Sequence, residues 1–186
     1  MKKIVFAALL ASAFSAQAAT ELVVNGDFET GTFAGWTRSG NLSLNDVIKN
    51  TVTSNRTWVW RNGATGSVGY ISQVLNTIAG QRYTLSFDVY NTATSTDPNK
   101  VTFNAMFGDN EVYSVKNTAL NWSHITLDVL ATSNATELKF GARNDPSFFR
   151  MDNVSVQAAV PEAETYAMLL AGLGVMGMIA RRRKAA

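Results

Sequence analysis

The segment Tyr83-Thr84-Leu85-Ser86-Phe87-Asp88-Val89 alternates apolar and polar side chains from end to end. Because successive side chains of a β-strand point to opposite faces, its apolar residues share one face and its polar residues share the other. The same period occurs at residues 101–107 and 124–129. Shorter runs of strand composition lie near residues 22–28, 58–60, 70–75, 138–142 and 149–156. These short runs, separated by Gly, Asn, Asp and Pro turns, predict an all-β fold, a single β-sandwich.

The composition sets further bounds on the class of protein. The chain has 186 residues, of which 16% are charged, and it contains no cysteine, which excludes disulfides, thiolate zinc sites and thiol nucleophiles. Six of its 16 basic residues lie at the extreme ends, so residues 19–160 carry ten basic and twelve acidic side chains. A domain without a basic excess lacks the electrostatic footprint of nucleic-acid binding, and we expect no nucleic-acid partner.

The first 18 residues have the organisation of a secretory signal peptide. Lys2 and Lys3 precede an apolar run over residues 4–14, and small residues then lead to a cleavage site after Ala18. The alternative is an uncleaved anchor, but the apolar run is shorter than the roughly 20 residues that a membrane span needs. We therefore expect residues 1–18 to direct the chain to the secretion machinery, and the protein to be exported.

The last residues form a second targeting segment. Residues 165–180 carry no charge and are followed by a basic cluster. At about 1.5 Å per residue, such a helix is roughly 24 Å long. That is shorter than a hydrocarbon core of about 30 Å, and the basic cluster is expected to stay in the cytoplasm. The sequence thus predicts one short C-terminal apolar helix that anchors the chain in the inner membrane during export.

The tail as a whole resembles the PEP-CTERM sorting domain of Gram-negative bacteria over residues 158–186. The resemblance rests on Pro161 and Glu162, the apolar helix, and Arg181, Arg182 and Arg183, while Ala163 stands where that family usually has a second proline. It implies that the membrane protease exosortase removes the helix after transient anchoring and that the protein passes to the cell surface or extracellular matrix. The alternative is an ordinary C-terminal anchor that is never cut.

The domain between these targeting segments, residues 19–157, contains three motifs in order: Asn-Gly-Asp-Phe-Glu at 25–29 with Gly-Trp at 35–36, residues 70–87, and Phe-Arg-Met-Asp-Asn-Val-Ser-Val at 149–156. In the order and spacing of these motifs, it resembles the jelly-roll carbohydrate-binding modules and their galactose-binding-like relatives. The resemblance implies a single jelly-roll β-sandwich. It also implies a carbohydrate partner, such as the exopolysaccharide of the producing cell.

The same resemblance implies a structural calcium ion at the edge of the sandwich. The positions that match its ligands are Glu29 and Asp152, with Asn25 or Gly26 as further oxygen donors. Calcium takes six to eight oxygen ligands, so backbone carbonyls would have to complete the shell. Such an ion would hold the two ends of the domain together. The alternative is that both carboxylates only accept hydrogen bonds from loop backbone.

Aromatic residues are the candidates for sugar binding, because pyranose rings stack on them while polar groups fix the hydroxyls. Trp58 and Trp60 are two residues apart in a predicted strand, so they share a face, which Arg56 flanks. The alternative is that both tryptophans belong to the core, as we expect for Trp36 and Trp122. Three further residues complete the candidate carbohydrate site: Gln73, Asp88 and Tyr90.

The sequence contains few patterns that are typical of catalytic sites. His124 is the sole histidine and lies on the polar face of a predicted strand, and no Gly-x-Ser-x-Gly elbow occurs. Asp109 and Glu111 are acidic neighbours in a predicted turn. The leading hypothesis is a non-catalytic exported surface or matrix protein that binds carbohydrate. A structural or adhesive matrix protein without sugar affinity is the alternative, and a glycan-cleaving enzyme is a third hypothesis.

Overall fold

The computed structural model describes residues 20–52, 57–145, 147–159, 172–174 and 176. Ten strands form two antiparallel five-stranded sheets, which confirms the predicted all-β sandwich. Residues 172–174 and 176 are helical and fall within the predicted tail helix. The signal peptide, Arg56 and the predicted sorting residues, Pro161, Glu162, Arg181, Arg182 and Arg183, lie outside the described residues.

Among the described residues, no helix has both the length and the apolar character that crossing a membrane requires.

The two sheets draw their strands from both halves of the chain, as expected of a jelly roll. The first sheet contains, in spatial order, β1 (Thr37–Gly40), β4 (Gly69–Asn76), β9 (Ala135–Asn144), β6 (Val101–Phe107) and β7 (Asn110–Lys116). The second sheet contains β2 (Asn45–Lys49), β3 (Trp58–Asn62), β10 (Phe149–Ala158), β5 (Arg82–Asn91) and β8 (Leu120–Leu130).

The core lies between the sheets and is built from the inward residues of the alternating strands. Phe87 of β5 packs edge-on against Phe140 of β9, with ring centroids 5.2 Å apart and planes at 73°. Trp36 is buried as predicted. Trp60 is buried too, and its Nε1 donates a hydrogen bond of 2.8 Å to Asn45 Oδ1, so this polar ring atom has a partner inside the core.

The predicted strand at residues 22–28 is wrong. This segment makes one isolated bridge, between Glu21 and Gln157, and then turns away with positive φ at Asn25 (55°) and Phe28 (54°). Residues with positive φ cannot continue a strand. Instead, Gln73 holds the segment, accepting from Val24 N at 2.8 Å and donating to Val24 O at 3.0 Å.

The two ends of the domain meet beside β10. Glu21 Oε1 accepts from Val156 N at 2.9 Å and from Val23 N at 2.8 Å, and Glu21 Oε2 accepts from Ser155 Oγ at 2.5 Å. Leu22 N adds a bond of 3.0 Å to Val156 O. Because residues 20–159 contain all ten described strands and the core between them, we expect this segment to fold as a unit.

Candidate functional site

An open groove of 480 Å³ runs over the outer face of the first sheet. Its floor is a row of residues that strand register places side by side: Tyr70 on β4 pairs with Gly141 on β9, and Gly141 pairs with Asn104 on β6. Ser114 on β7 continues the row beside Asn104. The floor therefore has one position without a side chain, in the middle of the sheet.

Gly141 allows the side chains of Tyr70 and Asn104 to approach the backbone of β9 closely. A Cβ at this position would lie 2.6 Å from Tyr70 Cε1 and closer still to Asn104 Oδ1. A glycine inside a strand commonly marks such a close approach. The Tyr70 ring leans over this glycine, with Lys139 Nζ 5.4 Å from its centroid. The result is a half-buried aromatic ring that lies over Gly141 and lines the groove.

The walls of the groove are polar and partly pre-ordered. Asn104 Nδ2 donates to Glu111 Oε2 at 3.2 Å, while Arg143 Nη2 donates to Asp145 Oδ2 at 2.7 Å. Burial alone would raise the pKa of Asp145, but hydrogen bonds from Arg143 and Gly66 and nearby positive charge outweigh it, so this pKa is lowered. The remaining polar lining consists of Ser67, Asn99, Thr102, Ser114 and Lys116. These groups can donate to and accept from hydroxyls.

The predicted pair of tryptophans does not form an exposed platform. Trp58 and Trp60 do share a face of β3, but that face points into the sandwich, and Trp60 is 0% exposed. Trp58 is half-buried, with Lys49 Nζ 5.7 Å from its ring, and packs near Gly31. The prediction failed because alternation defines which residues share a face, not which face meets solvent. Val59, on the opposite face, is also buried.

Gln73 and Asp88 are buried, and their side chains make hydrogen bonds within the domain. Gln73 is 9% exposed, and beyond its bonds to Val24 it donates to Gly35 O at 2.9 Å. Asp88 is 6% exposed and accepts from His124 Nδ1 at 2.7 Å. The structure thus places Gln73 under the N-terminal segment, while Asp88 lies on the outer face of the second sheet.

Tyr90 lies on that same outer face, where Trp122 joins it. Their ring centroids are 5.4 Å apart, and their planes tilt by 32°. Trp122 was expected to pack in the core, but it is half-buried and pairs with Tyr90 on the sheet surface. The structure therefore brings Asp88 and Tyr90 together, apart from Trp58, Trp60 and Gln73.

Oxygen atoms of the residues predicted to hold calcium accept hydrogen bonds within the domain. Gly26 O accepts from Val154 N at 2.9 Å, Glu29 Oε1 from Trp58 N at 3.1 Å, and Asp152 Oδ1 from Asn153 N at 2.7 Å. Across the residues that the structure describes, no three acidic, histidine or cysteine side chains are grouped to hold a metal. Calcium binding stays a prediction, and hydrogen bonds of Glu21 also join the two ends of the domain.

The sequence analysis did not predict the groove residues Tyr70 and Asn104. Gly141 was the available signal, because it lies inside the predicted strand at 138–142 without any turn residue beside it. What the glycine faces depends on the register of β4, β9 and β6. Those pairings join residues far apart in sequence and are not encoded in a local pattern.

The fold, the groove and the tail together define an exported jelly-roll protein with a C-terminal sorting signal. The PEP-CTERM protein-sorting motif matches residues 159–184, which confirms the resemblance seen in the tail and marks the chain as exported. No curated protein matches the sequence.

Solved structures with the same fold include carbohydrate-binding modules and a cyclase. TmCBM61 in complex with β-1,4-galactotriose is 18% identical, with a TM-score of 0.59 over 76% of this chain and 100% of that one. The xylan-binding domain from CBM 22 is 15% identical, with a TM-score of 0.54 over 78% of this chain and 98% of that one. A cyclase from Fischerella sp. TAU is 16% identical, with a TM-score of 0.55 over 78% of this chain and 100% of that one. At such low identity, these likenesses establish the fold alone.

Proposed function

We propose that this chain is a non-catalytic exported protein of the cell surface or extracellular matrix whose groove binds a polysaccharide. The observation that carries the proposal is the open groove on the outer face of the first sheet, lined by the Tyr70 ring and by the polar side chains of Asn104 and Glu111. The fold is shared with modules whose structures contain β-1,4-galactotriose or are described as xylan-binding. The exopolysaccharide of the producing cell is the proposed natural partner.

The shape and chemistry of the groove support a polymer ligand. An open groove along a sheet admits an internal stretch of a chain, whereas a closed pocket would admit only an end. The Tyr70 ring supplies a surface for the apolar C–H face of a pyranose. Asn104 and Glu111, already hydrogen-bonded to each other at 3.2 Å, offer a donor and acceptors for sugar hydroxyls.

The sorting motif supports export of the chain and its later release from the inner membrane. We infer that the secretion machinery exports the chain, that the tail holds it transiently in the inner membrane, and that an exosortase-type protease releases it. Replacing Arg181, Arg182 and Arg183 by glutamine should reduce release of the domain into the medium, measured by intact mass and immunoblotting of cell and medium fractions. Release at the wild-type level would contradict this route.

The glycan proposal is tested with residues 20–159 and calorimetric titration of galactan, xylan and the producer's exopolysaccharide. Tyr70→Ala should weaken binding at least tenfold, or about 1.4 kcal/mol, because it removes the stacking surface. Tyr90→Ala is the matched control, since it removes a half-buried tyrosine from the opposite sheet. For galactan and xylan, which serve as the neutral glycans, we expect it to leave the affinity unchanged.

Two results would redirect the proposal. A folded domain that binds none of these polysaccharides would favour a structural or adhesive matrix protein without sugar affinity. Release of reducing ends during prolonged incubation would replace the non-catalytic proposal by a glycan-cleaving one.

A further inference from the structure

The outer face of the second sheet carries an aromatic pair next to an arginine. Tyr90 on β5 and Trp122 on β8 lie 5.4 Å apart between ring centroids. The guanidinium carbon of Arg150 on β10 lies 5.6 Å from the centre of the Tyr90 ring. All three side chains are half-buried. Tyr90, Trp122 and Arg150 are together termed the ledge.

Strand register places a second arginine beside the ledge, but its charge is already matched. Arg61 on β3 pairs in register with Arg150. Its Nε donates to Asp46 Oδ1 at 2.9 Å and its Nη2 to Asp46 Oδ2 at 2.5 Å. The hydrogen bond that Arg61 donates to Asp46 raises the pKa of Arg61 in spite of its partial burial. Asp46 therefore forms a bidentate ion pair with Arg61.

Arg150 has no such partner. Among the residues that the structure describes, its guanidinium makes no ion pair, and its Nε is buried without a hydrogen bond. Burial lowers the pKa of Arg150, Tyr90 opposes this effect, and the neighbouring Arg61 lowers the pKa further. A half-buried cation without a carboxylate is unfavourable until an anion joins it.

The nearest acid along β5 is engaged elsewhere. Asp88 accepts from His124 Nδ1 at 2.7 Å and from Asn153 Nδ2 at 2.7 Å. These bonds hold its carboxylate toward β8 and the bulge in β10, where register shifts between Asp152 and Ser155. The cation at the ledge is therefore left for an anion from outside the described domain.

We propose that the ledge binds the carboxylate-bearing sugars, the hexuronate units, of an acidic polysaccharide. The pyranose C–H face stacks on Tyr90 and Trp122. The carboxylate accepts hydrogen bonds from the Nη groups of Arg150, since its Nε is buried. A neutral sugar offers no charge to Arg150, and a simple anion offers no ring to the aromatic pair. The ledge lies opposite the groove, and this inference does not depend on glycan binding there.

The test uses residues 20–159 and calorimetric titration of three probes: tetragalacturonate, its methyl ester and β-1,4-galactotetraose. We expect tetragalacturonate to bind at least tenfold more tightly than its methyl ester. Arg150→Gln should weaken tetragalacturonate binding at least tenfold. Arg82→Gln is the matched control, because it removes an exposed arginine from the same sheet away from the ledge, and it should leave binding unchanged.

Three outcomes would overturn the inference: equal affinity for acid and ester, full affinity in folded Arg150→Gln, or equal loss in Arg82→Gln. If Arg150→Gln does not fold, the inference is tested with Trp122→Phe by measuring tryptophan fluorescence emission. The emission change that tetragalacturonate causes in the wild type should disappear in Trp122→Phe, and its persistence would place the sugar elsewhere. Tyr70→Ala changes the groove only. The proposal for the ledge and the proposal for the groove can therefore be refuted independently of each other.

Discussion

Replacing Glu21 tests whether one carboxylate joins the two ends of the domain. Its side chain accepts hydrogen bonds from two backbone amides, Val23 N at 2.8 Å and Val156 N at 2.9 Å. At about 1 kcal/mol for each of these bonds, and little for the exposed bonds to Ser155 and Gln157, Glu21→Ala should cost about 2 kcal/mol. Glu21→Gln keeps an acceptor oxygen and should cost less than about 1 kcal/mol.

The assay is thermal unfolding of residues 20–159 followed by circular dichroism. With an unfolding entropy of about 2.1 cal/mol/K per residue, a loss of about 2 kcal/mol lowers Tm by about 7 °C. Glu137→Ala is the matched control, since its carboxylate faces Lys139 at 3.5 Å and is 44% exposed, and such pairs contribute less than about 1 kcal/mol.

A Tm for Glu21→Ala as high as that of Glu137→Ala would refute the reasoning. The same melts with a chelator test the calcium prediction. If an ion held the ends, chelation would lower the Tm of the wild type. If Glu21 holds them alone, chelation leaves that Tm unchanged.

Three further predictions concern the groove and the core. Gly141→Ala should weaken glycan binding at least tenfold in calorimetry, because the added Cβ displaces Tyr70, and the overpacking should cost about 1–3 kcal/mol in urea denaturation. Trp60→Phe should cost about 1–3 kcal/mol in the same assay, because it leaves the buried Asn45 Oδ1 without its 2.8 Å donor; a neutral result would contradict the role of this bond. The lowered pKa of Asp145 means that its carboxylate stabilises the fold above the unfolded pKa of about 3.9 and loses this contribution as pH falls through the folded value. Asp145→Asn should therefore be less stable than the wild type at neutral pH, with the gap closing in acid, and a gap independent of pH would be inconsistent with this account.

The strands that alternate cleanly were predictable from the sequence. The segment at 83–89 lies within β5, with Phe87 inside and Asp88 on the outer face, because one of its faces is apolar and the other polar. The two tryptophans of β3 were ambiguous, because Val59 between them is buried as well. When both faces of a strand are covered, its pattern no longer tells which one meets the core.

The groove and the ledge could not be predicted from local sequence patterns, for a different reason. Each is assembled from side chains on different strands whose register is set by long-range pairing. Tyr90 was a candidate from its polar strand face, but its neighbours Trp122 and Arg150 come from residues 32 and 60 positions later. No sequence pattern of fixed spacing would bring them together.

The position of β10 has a mechanical consequence. This strand lies between β3 and β5 in the interior of the second sheet, and the sorting motif at residues 159–184 follows it directly. Tension applied through that segment runs along β10 and loads its ladder to β5 in shear, so that many hydrogen bonds resist at the same time. An edge strand pulled outward would instead peel away one bond after another. A domain held to a surface or matrix by this end would therefore stay folded under forces that would unravel one attached through an edge strand.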